Sequence, residues 1–167
     1  MLENSVINED KGLENDFFVR SFLVQSKPKV VVDFLTASHW RYEHEIIPKI
    51  EQNFIRLIKT LPNEPTLPVI FNLFLKFQLS LKLHIRMEEE IVFPKYLCIL
   101  KREGEISMTG SHEAQEPYVN EIIKLLNRTS YSKNPFCQLL IQRLDKFEIE
   151  LNEHAWIEEN IISKNLQ

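Results

Sequence analysis

Three stretches of this chain repeat one arrangement, a histidine followed four residues later by a glutamate, within an apolar pattern. They are "HIRME" (His84 and Glu88), "HEAQE" (His112 and Glu116) and "HAWIE" (His154 and Glu158). In an α-helix, such a pair lies about 6 Å apart along the axis and roughly 40° apart around it, so both groups share a face. A fourth histidine, His39, stands in a similar apolar stretch. Mixed imidazole and carboxylate donors suit iron or another first-row metal. Carboxylates can also bridge two ions. The set His39, His84, Glu88, His112, Glu116, His154 and Glu158 therefore fits a two-metal site better than a single ion. A buried carboxylate without a partner is very costly, so these groups require something to neutralise them.

The apolar periodicity shows what must position them. Val32, Leu35, His39, Tyr42 and Ile46 step by 3, 4, 3, 4, and Phe74, Phe77, Leu81, His84, Glu88 and Ile91 by 3, 4, 3, 4, 3. His112, Glu116, Val119, Ile123 and Leu126 step by 4, 3, 4, 3. Leu140, Leu144, Phe147, Leu151, His154, Glu158 and Ile161 step by 4, 3, 4, 3, 4, 3. Each is the seam of an amphipathic helix, and each carries one histidine.

Turn-forming residues divide the chain accordingly. Residues 1–27 form an N-terminal arm in which "DFFVRSFL" suggests a short helix or a docked segment. Pro28 suits a first helical turn, and a first helix runs to about Thr60, with a kink or break expected at Pro48. "LPNEPTLP" is a proline-rich connection. A second helix runs from about Pro68 to Lys101, bent or ended in its regular part by Pro94. The loop "REGEISMTGS" follows, then a third helix from Ser111 to Arg128. "TSYSKNP" leads to a fourth, from Pro135 to Lys164. The expected fold is all-α: an up-down-up-down four-helix bundle over residues 28–167, preceded by the arm. Facing helices of such a bundle are a known setting for metal sites.

Composition agrees with this. The 167 residues suit one domain, and only three glycines occur, which favours helices over strands and turns. A formal net charge of −4 argues against a nucleic-acid or anionic-membrane partner. No run approaches the ~18 apolar residues of a membrane span. Cys98 and Cys137 form no Cys-x-x-Cys pair and no disulfide framework; both read as inert core thiols. The polar start "MLENSVINEDKG" is unlike a secretory signal. The expectation is a cytoplasmic protein in a reducing compartment.

Other polar and aromatic residues read differently. His44 is expected to be exposed or to lie behind the ligands. Glu89 and Glu159 read as surface charges or as carboxylates that orient imidazoles from outside the ligand set. Trp40, Tyr42 and Trp156 read as core residues, with the lining of an oxygen pocket as the alternative.

The spacing separates this chain from ferritin-like di-iron bundles, which use Glu-x-x-His. Instead it resembles the hemerythrin-like (HHE cation-binding) domain family. The matching stretches are "FLTASHWRYEHEIIPKIE", "HIRMEEEIVFP", "SHEAQEPYV" and "NEHAWIEENII", which span about residues 30–163. The second is the most specific, since His-x-x-x-Glu-Glu-x-x-x-Phe-Pro recurs in that family. The resemblance implies two non-haem iron ions with an oxo or hydroxo bridge. It also implies bridging carboxylates from Glu88 and Glu158. One iron would take His39 and His84, and the other His112 and His154. Where oxygen-carrying members have a further histidine, this chain has Glu116, expected as a terminal ligand. That would fill the His112 iron and leave the His39 iron an open position for dioxygen, nitric oxide or peroxide.

The implied function is a non-enzymatic di-iron protein that binds or senses dioxygen or nitric oxide. Two alternatives stand beside it. One is repair of iron–sulfur centres or reduction of an oxidant at the same irons. The other is an iron-dependent interaction module, whose protein partner nothing in the sequence selects. Family members linked to repair often have a cysteine-containing N-terminal domain and an additional histidine after the first helix. The arm has no cysteine and residues 51–83 no histidine, which weakens that alternative. A further departure is Ile162-Ser163, where family members often have Phe-Pro; this should affect packing at the helix end more than metal chemistry.

Overall fold

The computed structural model describes residues 19–99 and 117–165. The fold is all-α, with four long helices packed antiparallel and a short helix before them. The short helix, α1, occupies residues 19–24. The first long helix comprises α2 (Pro28–Arg41), a π-helical turn (Tyr42–Ile46) and α3 (Ile47–Thr60). The second comprises α4 (Thr66–Met87), a π-helical turn (Glu88–Val92) and α5 (Phe93–Ile99). The third is α6 (Pro117–Asn127); the fourth is α7 (Pro135–Ile157), a π-helical turn (Glu158–Ile162) and a single 3₁₀ turn (Ser163–Asn165).

The helix starts follow local chemistry. Pro28 and Pro135 stand in first turns, where a missing N–H costs nothing. Asn134 caps α7, its side-chain oxygen accepting the Phe136 N–H at 2.9 Å. The Thr66 and Tyr131 hydroxyls meet at 2.9 Å and tie the start of α4 to the connection before α7.

The two internal prolines neither break nor end their helices. Each follows a π turn, where the Ile47 N–H reaches the Tyr42 carbonyl and the Phe93 N–H reaches that of Glu88. A proline cannot donate to the carbonyl four residues back. A wide turn already leaves one carbonyl without an intrahelical donor, so the two defects coincide at Pro48 and again at Pro94. On the first helix, the His44 imidazole donates from Nδ1 to the Trp40 carbonyl at 2.9 Å. The third π turn forms without a proline, closed by the Ser163 N–H on the Glu158 carbonyl.

A π turn shifts the phase of the residues within and after it. Ile46, placed on the first seam by spacing, is only half-buried, and its neighbour Ile47 is buried instead. Ile91, expected on the second seam, is 47% exposed, and Phe93 takes the inward position.

The buried apolar residues form two clusters. One includes Tyr42, Phe54, Phe74, Phe77, Ile85 and Phe147. The other includes Leu23, Leu35, Phe93, Tyr96, Ile157 and Ile161. Three helices pass from one cluster to the other, and each crosses at polar residues. His39 lies between Leu35 and Tyr42, Glu88 between Ile85 and Phe93, and His154 between Phe147 and Ile157. The core is thus divided by a polar layer.

The arm's described part is both helical and docked. Leu23 is buried in the second cluster. Arg20 donates from Nε to Glu153 at 2.8 Å and lies over the Trp156 ring, 4.6 Å from its centroid. The continuous helix Thr66–Cys98 is, by length and composition alone, apolar enough to cross a membrane, contrary to the sequence expectation. Phe74, Phe77, Leu81 and Ile85 on that helix are nevertheless packed in the bundle core.

Candidate metal centre

Among the described residues, the polar layer is built by the first, second and fourth long helices. His39 comes from α2, one turn before the first π turn. Glu88 and Glu158 each open a π turn, one turn after His84 and His154 respectively. π turns within α-helices occur frequently at functional sites; here two of them start in the polar layer, at Glu88 and Glu158, and the third starts at Tyr42, three residues after His39.

His39, Glu88, His154 and Glu158 are all buried, and each offers one donor atom within 4.8 Å of the others. The His39 and His154 Nε2 atoms are 2.9 Å apart. His154 Nε2 is 2.6 Å from Glu158 Oε1, and His39 Nε2 is 3.2 Å from Glu88 Oε2. His84, half-buried, places Nε2 3.0 Å from Glu88 Oε1 and 3.9 Å from Glu158 Oε2. The glutamate contacts are short, but neither Glu88 oxygen nor Glu158 Oε1 has a donor aligned for a hydrogen bond. The imidazole nitrogens and carboxylate oxygens converge on one another, a spacing that a shared cation would also satisfy. Two nitrogens each about 2.1 Å from one ion and at right angles would lie about 3 Å apart, which matches the two imidazoles.

The electrostatics agree. Burial would raise Glu88, but the His39 and His84 nitrogens outweigh it and hold the carboxyl well below the usual carboxylate range. Burial and the neighbouring Glu88 charge push Glu158 well above that range. Burial, reinforced by His39, lowers His154 to about 3. Burial lowers His39 and His84 too, yet contact with Glu88, and for His39 also Glu89, leaves both raised. The cluster thus favours ionisation at Glu88, disfavours it at Glu158, draws His39 and His84 toward the imidazolium form and disfavours it at His154. A cation would take the place of those protons.

These two buried histidines and two buried glutamates could hold a metal ion. The donor set, imidazole nitrogen with carboxylate oxygen, is one that several first-row metals accept.

Around the cluster, Glu89 Oε1 accepts the His39 Nδ1–H at 2.9 Å, and the Phe93 ring stacks on the His39 ring, with centroids 5.7 Å apart. Tyr42 sets its ring edge against His154, centroids 5.6 Å apart, and donates its hydroxyl to the Glu150 carbonyl at 3.1 Å.

Of the seven residues expected from the sequence, the structure brings together His39, His84, Glu88, His154 and Glu158. His112 and Glu116 lie outside the described residues. The closest imidazole pair is His39 with His154, whereas the resemblance pairs His39 with His84. His44 is exposed, as expected. Trp40 is 55% exposed and stacks on His44, so it is neither core nor pocket lining. Cys137 is buried, which pushes its thiol up, but Cys98 is exposed and is not a core thiol. The π turns went unread in the sequence, although Pro48 and Pro94 were their signal.

Compared with protein-family models, curated proteins and solved structures, the chain matches none.

Proposed function

We propose that this chain is a non-haem di-iron protein that binds or senses dioxygen or nitric oxide in the core of a four-helix bundle. The observation that carries the reading is the buried layer of His39, Glu88, His154 and Glu158, with His84 at its edge; Glu88 and Glu158 each open a π turn, and a third π turn follows His39 on its helix. A structural polar layer would align donors with its acceptors, whereas here both Glu88 oxygens and Glu158 Oε1 lie close to imidazole nitrogens without an aligned hydrogen bond. His39, His84 and His154 would supply nitrogen, Glu88 and Glu158 the bridging oxygen, and His112 and Glu116 the remaining ligands. Bound there, an iron pair supplies an exchangeable coordination position and one-electron redox chemistry. The chain's part is to orient the imidazoles, keep the layer between two apolar clusters and exclude bulk water.

The test is metal content per chain, with an ultraviolet–visible spectrum of the reduced protein before and after dioxygen is added. About two irons per chain, with oxo-bridged ferric absorption, supports the proposal. A reversible change on removal of dioxygen favours carriage or sensing. A folded chain that takes up no iron on reconstitution overturns it.

The division of the core favours a second reading, an iron-dependent interaction module. Among the described residues, α2, α4–α5 and α7 join the two apolar clusters across the polar layer, so a bound metal would couple them, and its loss would loosen one against the other.

A further inference from the structure

We infer that Glu89 is a positioning residue for the metal centre: its carboxylate holds the Nδ1 side of His39 so that Nε2 points into the buried cluster. The inference rests on the metal-binding reading above and concerns a residue outside its ligand set.

Three residues of one short segment contact three parts of a single imidazole on another helix. Glu88 Oε2 lies 3.2 Å from Nε2, Glu89 Oε1 accepts from Nδ1 at 2.9 Å, and Phe93 stacks on the ring face with 7° between the planes. Consecutive residues of a regular α-helix diverge by about 100° and do not ordinarily converge on one distant ring. Glu88 and Glu89 are the first two residues of the π turn, and Phe93 is the residue whose N–H closes it on the Glu88 carbonyl. The widened turn therefore serves both as the source of a ligand and as a cradle for the opposing histidine. His39 is fixed at both nitrogens and one face, while α2 contributes only the imidazole.

The contrast lies within the cluster. The Nδ1 of His154 is buried and has no hydrogen-bond partner among the described residues. A ligating histidine ordinarily donates its second N–H to a carboxylate, carbonyl or water, and this sets the tautomer and aims the other nitrogen. Glu89 supplies that partner to His39. Its neighbour Glu90 does not, because it is exposed and takes up Arg86 at 2.8 Å.

The experiment uses the full chain, cobalt(II) and zinc as probes, and the variants Glu89→Ala, Glu89→Gln and Glu90→Ala. Affinity is measured by competition with a chelator. The His39 ring nitrogens are followed by ¹⁵N NMR in the zinc-loaded protein, and the melting temperature is taken without metal. Glu89→Ala is expected to weaken metal binding about 10–100-fold and to change the cobalt absorption bands and the His39 nitrogen shifts. Glu89→Gln keeps a carbonyl acceptor for Nδ1–H and is expected to recover most of the affinity. Glu90→Ala, which removes the same charge one residue away, is expected to bind as the parent does. If Glu89→Ala only lowers the metal-free melting temperature, with affinity and His39 shifts unchanged, the positioning role is overturned while the metal site stands. If the Gln variant fails as fully as Ala, or Glu90→Ala weakens binding equally, the effect is one of charge and the inference is again overturned. A parent chain that binds neither probe overturns the metal site and this inference together.

Discussion

The Nε2 atoms of His39 and His154 lie 2.9 Å apart, although the residues are 115 positions apart in the chain. Nitrogens that close must share a proton or a cation. With both protonated they would repel, and the depression of His154 to about 3, by burial and then by His39, expresses that conflict. This pair sits where the core divides into two apolar clusters, so its chemistry bears on stability as well as on metal binding.

Metal should stabilise the fold. An ion that binds only the folded state at a concentration 100 times its Kd contributes about 2.7 kcal/mol. The melting temperature should rise on adding iron(II) or zinc and fall again with a chelator. Cooperativity is informative too: loss of metal should loosen the cluster around Leu35, Phe93 and Ile157 before that around Phe54, Phe74 and Phe77. Hydrogen exchange along α5 and the C-terminal π turn reads this directly, and uniform exchange across both clusters would refute the split.

The ligand set makes a sharper claim. His84→Ala and Glu88→Ala should each abolish paired-metal binding while sparing most helix content, since the apolar clusters remain. Glu88→Ala also leaves His39 and His84 without their shared carboxylate, and breaking a buried ion pair in this way costs about 3–5 kcal/mol. Part of that is relieved at His84, which is half-buried. His44→Ala should leave metal content unchanged, because His44 is exposed and its Nδ1 serves the Trp40 carbonyl. Loss of metal in that variant would make it a ligand.

How far the sequence carried this reading depended on where the helical period was uniform. Pro28 and Pro135 marked helix starts that the structure reproduces. The seams placed His39, Glu88, His154 and Glu158 inward because each lies before its helix widens, or at the first residue of the π turn. Within the first two π turns the same spacing failed: Ile46 is half-buried, Ile91 faces outward and Phe93 instead packs on His39, whereas Ile161 in the third stays buried as its seam placed it. A strict 3-4 count cannot register one inserted residue, although a proline just downstream hints at it. The link from Glu89 to His39 depends on that same insertion and was legible only as a carboxylate of unspecified role.

The acid–base pattern predicts how stability and metal uptake respond to pH. Glu158 has a folded-state value raised above its unfolded one. It therefore contributes stability below about pH 4.5 that is lost as pH rises through the folded value. Glu88 is the reverse, stabilising above its unfolded value and losing that contribution as pH falls. Glu158→Gln replaces a carboxyl that the fold prefers neutral, so at neutral pH the metal-free variant should be at least as stable as the parent, while its metal affinity collapses. Metal binding must displace protons from Glu158, His39 and His84, so affinity should fall with acid, and uptake at neutral pH should release protons. Calorimetry in buffers of different ionisation enthalpy reads that release. Proton-neutral binding would contradict the charge pattern.

Tyr42 gives a test that separates a ligand from a neighbour. Its ring edge meets His154 and Phe147, so a phenol oxygen near the cluster could be mistaken for a donor. The hydroxyl, however, donates to the Glu150 carbonyl at 3.1 Å. Burial, then the Glu150 charge, pushes its ionisation well above the ordinary phenol range. A group held protonated and turned to a backbone carbonyl supplies no phenolate. Tyr42→Phe keeps the ring that packs on His154 and removes one hydrogen bond, a loss of about 0.5–1.5 kcal/mol. Metal content and visible spectrum should be those of the parent, with no tyrosinate charge-transfer band in either protein. If the iron-loaded parent shows such a band and Tyr42→Phe abolishes it, the phenol has turned inward on loading, and Tyr42 joins the ligands.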